Sequence, residues 1–130
     1  MKKKRKFSIK RLDKSFKYAF TGFKNTFNTE PNMKFHTFIG LIVLVGGIIF
    51  KLKALEWIFL VFAIGLVIGA ELLNTAIEHL VDLATQEYKR KAMLAKDTAA
   101  AYVMVLSVTA AIIGAIIFIP KIIEIIKGLI

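Results

Sequence analysis

Apolar and polar positions follow four regimes along this chain. From Ile9 to Phe27, Leu12, Phe16, Phe20, Phe23 and Phe27 recur at intervals of three and four, while Lys10, Lys14, Lys17 and Lys24 fall largely elsewhere. That periodicity predicts an amphipathic helix over residues 9–28, its Phe-rich face suited to lying in a membrane interface. Thr29-Glu30-Pro31-Asn32 interrupts it, because proline disfavours helical geometry in the residue before it. Three apolar runs follow, over about 35–50, 54–77 and 98–119. The first is short for a hydrocarbon core about 30 Å thick, which takes ~20 residues, so flanking residues must help it cross. The second is expected to continue as a helix to about Thr85, and Pro120 is expected to end the third. The predicted fold class is an all-α integral membrane protein with three transmembrane helices, a single domain over residues 1–130. A basic tail over 1–8 and a short amphipathic helix from Lys121 to Ile130 complete it.

Composition strengthens the membrane assignment. The chain is 57% hydrophobic with a mean hydropathy of +0.66, too apolar for an ordinary soluble domain of this size. It has no cysteine, which rules out disulfides and thiolate metal sites. The net charge of +10 is unevenly distributed: 11 of the 19 Lys and Arg residues fall in residues 1–36 and 4 between Lys89 and Lys96. Only Lys51 and Lys53 fall in the first tight hairpin, and only Lys121 and Lys127 at the far end. A small basic protein could suit nucleic acid, but the apolar runs make the bias one of orientation, and no nucleic-acid partner is expected. The positive-inside rule puts the N-terminus and second loop in the cytoplasm, and the first hairpin and C-terminus outside. The run MKKKRKFSIKR resembles the charged start of a signal peptide. No short apolar core with a small-residue cleavage site follows, so removal is not expected; the tail suits anionic headgroups instead.

The second run is apolar until Glu71, Asn74, Glu78 and Asp82 appear in quick succession. At about 100° per residue, Glu71, Glu78 and Asp82 lie within roughly 40° of one another, with Asn74 beside them. Ionised groups at membrane depth are costly and mark function. Two further polar groups share the cytoplasmic side on this topology: Glu30, Asn32, Lys34 and His36 before the first span, and Glu87, Tyr88, Lys89, Lys96 and Asp97 in the loop entering the third. Carboxylates without thiolates suit a hard cation such as Mg²⁺, which shares its coordination with water and phosphate oxygens. A lysine beside such a cation can neutralise a transferring phosphoryl group, and a carboxylate in apolar surroundings suits a general base. His36 and His79 read as packing or interfacial residues, since neither forms an HxxxH or HExxH spacing. Trp57 and Tyr102 read as interface anchors or packing residues. Asp82 and Glu87 can equally be solvated or paired with Lys89 and Arg90. Gly65 and Gly69 form a GxxxG pair, a pattern that apolar segments also produce by chance. The chain has neither GxxxxGKS/T nor GxGxxG, so phosphoryl transfer here would not use a P-loop or a protein-kinase fold.

The string Glu71-Leu-Leu-Asn-Thr-Ala-Ile-Glu78, with Asp82 and then Ala95-Lys96-Asp97 at this distance, resembles the prokaryotic diacylglycerol kinase family. That family includes the small membrane lipid kinases of Gram-negative bacteria and the undecaprenol kinases of Gram-positive bacteria. The resemblance runs from about Arg11 to the end of the third span. It implies a bacterial cell-membrane homotrimer with active sites shared between subunits, moving the ATP γ-phosphate to a lipid hydroxyl with Mg²⁺. It implies Glu71 as proton acceptor, Glu30 and Glu78 as metal ligands that also meet the nucleotide, and Asn74 as an orienting residue with Asp82 in support. Lys96 and Asp97 would handle phosphate and nucleoside, with Arg11, Tyr18, Glu87 and Tyr88 as further nucleotide contacts. Lys89 stands where the family often has histidine. Lys34 replaces an arginine and His36 a glutamate of the Gram-negative form, and the TEPNMKFH segment favours undecaprenol over diacylglycerol as acceptor.

Two other classes stay open. A small oligomeric cation channel or transporter subunit would use Glu71 and Glu78 along an ion path but leaves Glu30 and Lys96-Asp97 without roles. A non-catalytic scaffold would use the basic arm and the Gly65–Gly69 surface.

Overall fold

The computed structural model describes residues 8–129, the side chain of Leu129 excepted, so most of the basic tail lies outside the described residues. Four helices follow in order: α1 (Ile9–Thr29), α2 (Pro31–Ile49), α3 (Ala54–Ala84) and α4 (Arg90–Leu129). The last three are each long and apolar enough to cross a membrane. α3 packs most extensively on α4 and next on α2, while α1 touches α2 and α3 more lightly.

α1 forms over the residues that the periodicity marks. Its Phe16 and Phe20 are each 69% exposed, so the Phe-rich face is not covered by the rest of the chain. Near its end Thr26 is buried, anchoring α1 to the bundle. A single extended residue, Glu30, separates α1 from α2 (φ −97°, ψ 116°). Pro31 then occupies the first helical position, where a missing N–H costs nothing and a fixed φ favours the helix. Lys34 Nζ donates to the carbonyl of Asn28 at 2.9 Å, satisfying a carbonyl left open at the end of α1. Starting at Pro31 gives α2 19 residues, about 28 Å at 1.5 Å per residue, which resolves the shortness of the first apolar run.

The turn from α2 to α3 is tight. Leu52 N–H reaches back to Gly47 O (3.0 Å) and Lys51 N–H to Ile48 O (3.1 Å), the paired bonds of a Schellman motif. Lys51 takes the left-handed conformation (φ 50°) that the motif requires, a strained position for a side-chain-bearing residue. Glu56 accepts a 2.7 Å bond from the Lys53 N–H at the start of α3. Its other oxygen pairs with Lys121 Nζ at 3.0 Å, tying α3 to α4. Above this turn Leu52, Leu60 and Ile117 form the buried cluster, wrapped by Phe50, Trp57 and Phe118 among others.

Two expectations about the third span need correction. α4 begins at Arg90, not Thr98, so Lys96 and Asp97 lie on a helix and the connecting loop shrinks to 85–89. The run RKAMLAKD is rich in strong helix formers, which outweighs its polarity. At the other end Pro120 lies inside α4, which continues to Leu129. Proline removes one backbone donor and crowds the preceding turn, yet membrane helices tolerate it where neighbours compensate. Here Ile117 and Phe118 on one side and the Lys121–Glu56 pair on the other hold both flanks.

Packing at the turn generates a prediction. A Cβ on Gly47 would stand 2.7 Å from Trp57 Cη2 and 3.1 Å from Leu52 Cδ1, whereas one on Gly22 meets nothing within 4 Å. Gly47→Ala is expected to cost about 1–3 kcal/mol through overpacking, and Gly22→Ala to be neutral or stabilising by up to about 1 kcal/mol. Denaturant unfolding of the purified protein in micelles measures both.

Candidate active site

One face of α3 carries Leu60, Ala63, Val67, Glu71 and Thr75, all buried and spaced three or four residues apart. The stripe that packs α3 into the bundle therefore includes a carboxylate at a core position: Glu71 is 2% exposed. Glu71 stands 17 residues beyond Ala54, ~26 Å along the helix axis, near the far boundary of a hydrocarbon core about 30 Å thick. Glu78, a further ~10 Å on, reaches the headgroup region.

Polar groups gather around Glu71 from α2, the α1–α2 junction and α3 itself. His36 on α2 brings Nε2 to 3.2 Å from Glu71 Oε1, within ion-pair distance but short of hydrogen-bond geometry, so Oε1 is buried without a hydrogen bond. The backbone carbonyl of Glu71 accepts the Thr75 hydroxyl at 3.0 Å, which keeps that hydroxyl satisfied inside the helix. The carboxylates of Glu30 and Glu78 lie close enough to act electrostatically on Glu71. Asn74 donates from Nδ2 to Glu78 Oε1 at 2.8 Å, orienting that carboxylate, while its own Oδ1 is buried and unpartnered. Buried polar atoms without partners are rare, so each of these two has hydrogen-bonding capacity to spare.

The other predicted residues form a separate group. Lys96 on α4 pairs with Asp82 on α3, while Gln86 donates to the Asp82 backbone carbonyl at 2.9 Å. Asp82, Glu87, Tyr88, Lys89 and Lys96 line an open cleft of about 550 Å³ at the α3–α4 loop. Glu87 pairs with Lys89 at 3.7 Å rather than with a more distant residue, and Tyr88 projects outward at 82% exposure. Asp97 is exposed on the first turns of α4. No hydrogen bond or ion pair joins this group to Glu71, Asn74 and Glu78 among the described residues. Arg11 and Tyr18 lie on exposed turns of α1, ~22 Å and ~12 Å along its axis from Thr26. The chain thus gathers Glu30, Glu71, Asn74 and Glu78, and leaves Arg11, Tyr18, Lys96 and Asp97 outside that group.

His36 is the residue that sequence reasoning undervalued. Read as packing, it is the direct polar neighbour of the buried carboxylate. The available signal was its place: a titratable side chain one turn after Asn32, entering a span whose partner helix carries Glu71.

The fold and these residues define a helical membrane protein with a buried carboxylate near the edge of the hydrocarbon core. The chain belongs to the prokaryotic diacylglycerol kinase family, whose model matches residues 17–118. It is 43% identical over 113 residues to the undecaprenol kinase of Bacillus subtilis, covering 87% of this chain and 92% of that protein. It is 37% identical over 111 residues to a diacylglycerol kinase of Synechocystis, covering 85% of this chain and 63% of that protein. The family match includes Tyr18 and every other proposed site residue except Arg11, which precedes it.

The Lys96–Asp82 pair is exposed enough that its net contribution to the fold is small. Asp82→Asn is expected to shift unfolding in micelles by less than about 1 kcal/mol, as surface ion pairs do.

Proposed function

We propose that this protein is a lipid kinase that transfers the γ-phosphate of ATP to the hydroxyl of a membrane lipid, with undecaprenol as acceptor. The single observation that carries the reading is the burial of Glu71 at the hydrocarbon edge, with Glu30, Asn74 and Glu78 around it. A lipid alcohol keeps its tail in the bilayer and its hydroxyl near that depth, where a carboxylate poor in water is placed to take the proton. The lipid oxygen then attacks the γ-phosphorus, the bond to the β,γ-bridging oxygen breaks, and ADP leaves.

The residues fit a magnesium ion. Among the described residues no three carboxylate or imidazole groups converge as an all-protein cage. Mg²⁺ does not ask for one: one or two carboxylates plus substrate phosphates and water suffice. Glu30 and Glu78 would hold it, and when bound it would offset charge on the phosphates. Asn74 fixes the Glu78 carboxylate through its Nδ2. Lys96 exchanges Asp82 for phosphate, with Asp97, Glu87, Tyr88, Tyr18 and Arg11 at the nucleoside. These groups lie outside the Glu71 cluster in one protomer, which favours a homotrimer in which neighbouring subunits complete each site. The Lys/Arg distribution supports a cytoplasmic N-terminus, on the side where ATP is available, and the bacterial relatives support a bacterial cell-membrane location.

The identity with the Bacillus subtilis undecaprenol kinase favours undecaprenol, while the Synechocystis relative keeps diacylglycerol as the second reading. The test is phosphate transfer from labelled ATP to each lipid in mixed micelles. Transfer mainly to undecaprenol is expected; preference for diacylglycerol would overturn the acceptor, and transfer to neither would overturn the kinase reading. Glu71→Gln and Glu78→Gln are each expected to lower turnover by about 10²–10⁴-fold with the oligomer intact. Retained turnover would defeat the assignment. Chelation of divalent ions is expected to abolish transfer, and readded Mg²⁺ to restore it, with helical content unchanged by circular dichroism.

A further inference from the structure

A buried proton acceptor has to be returned to its ionised form once per turnover, and Glu71 has almost no contact with water. Its side chain is 3% exposed, and no side-chain hydrogen bond reaches its carboxylate among the described residues. The group in direct polar contact is His36, whose Nε2 lies 3.2 Å from Oε1 and whose side chain is 20% exposed. His36 also borders a cleft of about 540 Å³ between α2 and α4, floored by Leu60, Ala63 and Val67 of α3. Phe35 stands edge-on to the imidazole, ring centroids 5.5 Å apart, and limits where the ring can turn. The ring thus faces the buried carboxylate while remaining partly exposed itself, and the cleft beside it is lined mostly by apolar residues.

We infer that His36 is the route by which Glu71 sheds the proton taken from the lipid hydroxyl. The inference rests on Glu71 as the acceptor and adds a residue that acts through it. After transfer, the carboxylic acid of Glu71 gives its proton to Nε2 of the neutral imidazole, restoring the carboxylate and forming an imidazolium. The imidazolium then loses a proton to water. The balance is one proton released per phosphate transferred, with no oxidant or further reactant. Imidazole suits this task because its charge changes near neutral pH. The other charged groups acting on Glu71 are Glu30 from the α1–α2 junction and Glu78 from α3 itself.

A merely packing role for His36 predicts something different, and kinetics separates the two. In the full-length protein, His36→Gln keeps a polar amide of similar size but cannot carry a proton. It is expected to bind ATP with wild-type affinity and to lower kcat by about 100-fold, leaving KM for ATP within about threefold. His36→Ala opens space beside Glu71, and added imidazole is expected to recover at least about tenfold of its lost kcat, more at higher buffer pH. A wild-type kcat and pH profile in His36→Gln would overturn the inference, as would a His36→Ala loss that imidazole leaves untouched. Failure of the acceptor reading itself would look different: full turnover in Glu71→Gln, or no lipid phosphorylation by the wild-type protein in the same assay.

Discussion

A carboxylate at a core position of a membrane helix is the constraint around which this molecule is organised. Moving an isolated charge into an apolar interior is expensive, and the fold answers by surrounding it rather than removing it. Glu71 lies on the stripe that packs α3 against its neighbours, so the helix cannot turn the residue outward without giving up Leu60, Ala63, Val67 and Thr75. The polar neighbours must come to it. α2 delivers His36, the α1–α2 junction delivers Glu30, and α3 supplies Asn74 and Glu78 one and two turns on.

That requirement explains the economy of the α1–α2 junction. One non-helical residue separates an interfacial helix from a spanning one, and that residue is Glu30. Pro31 makes the break abrupt, Lys34 closes the end of α1, and the fully buried Met33 fixes the start of α2 against the bundle. The carboxylate is therefore held by backbone geometry on both sides. At the opposite end, Gly47 lets Trp57 and Leu52 close the α2–α3 turn, and the Glu56–Lys121 pair ties α4 alongside. The two ends of the bundle divide the labour: one is packed for register, the other is left polar and incompletely satisfied.

Much of this was legible in the residues. Period-3.6 spacing of phenylalanines marked α1, long apolar runs marked the spans, and the 71–78 spacing placed both glutamates on one face. Legibility failed where local and tertiary terms compete. Pro120 reads as a terminator, but Phe118 and Lys121 are held by other helices and carry α4 through it. Lys96 and Asp97 read as loop because they are charged, although Arg90–Ala95 is strongly helix-forming. His36 was misread because its partner is distant in sequence: no local spacing announces a contact between α2 and α3. The same holds for the division of the site, since the distance from Lys96 to Glu71 depends on how helices meet, and in the proposed trimer on which subunit supplies each.

The length of α3 has a consequence for the membrane itself. Its 31 residues form a rigid rod of ~46 Å, with the buried Glu71 carboxylate at a set height above the hairpin end. The bilayer has no such rigid length, since its thickness varies with lipid composition and spanning helices respond by tilting or by deforming it. A few ångströms of thickening would lower Glu71 from the plane of the lipid hydroxyls into pure hydrocarbon, and thinning would raise it into the headgroups. With Glu71 in the role proposed for it, the helix acts as a depth gauge, and membrane thickness becomes a kinetic variable for this enzyme alongside the concentration of its substrates.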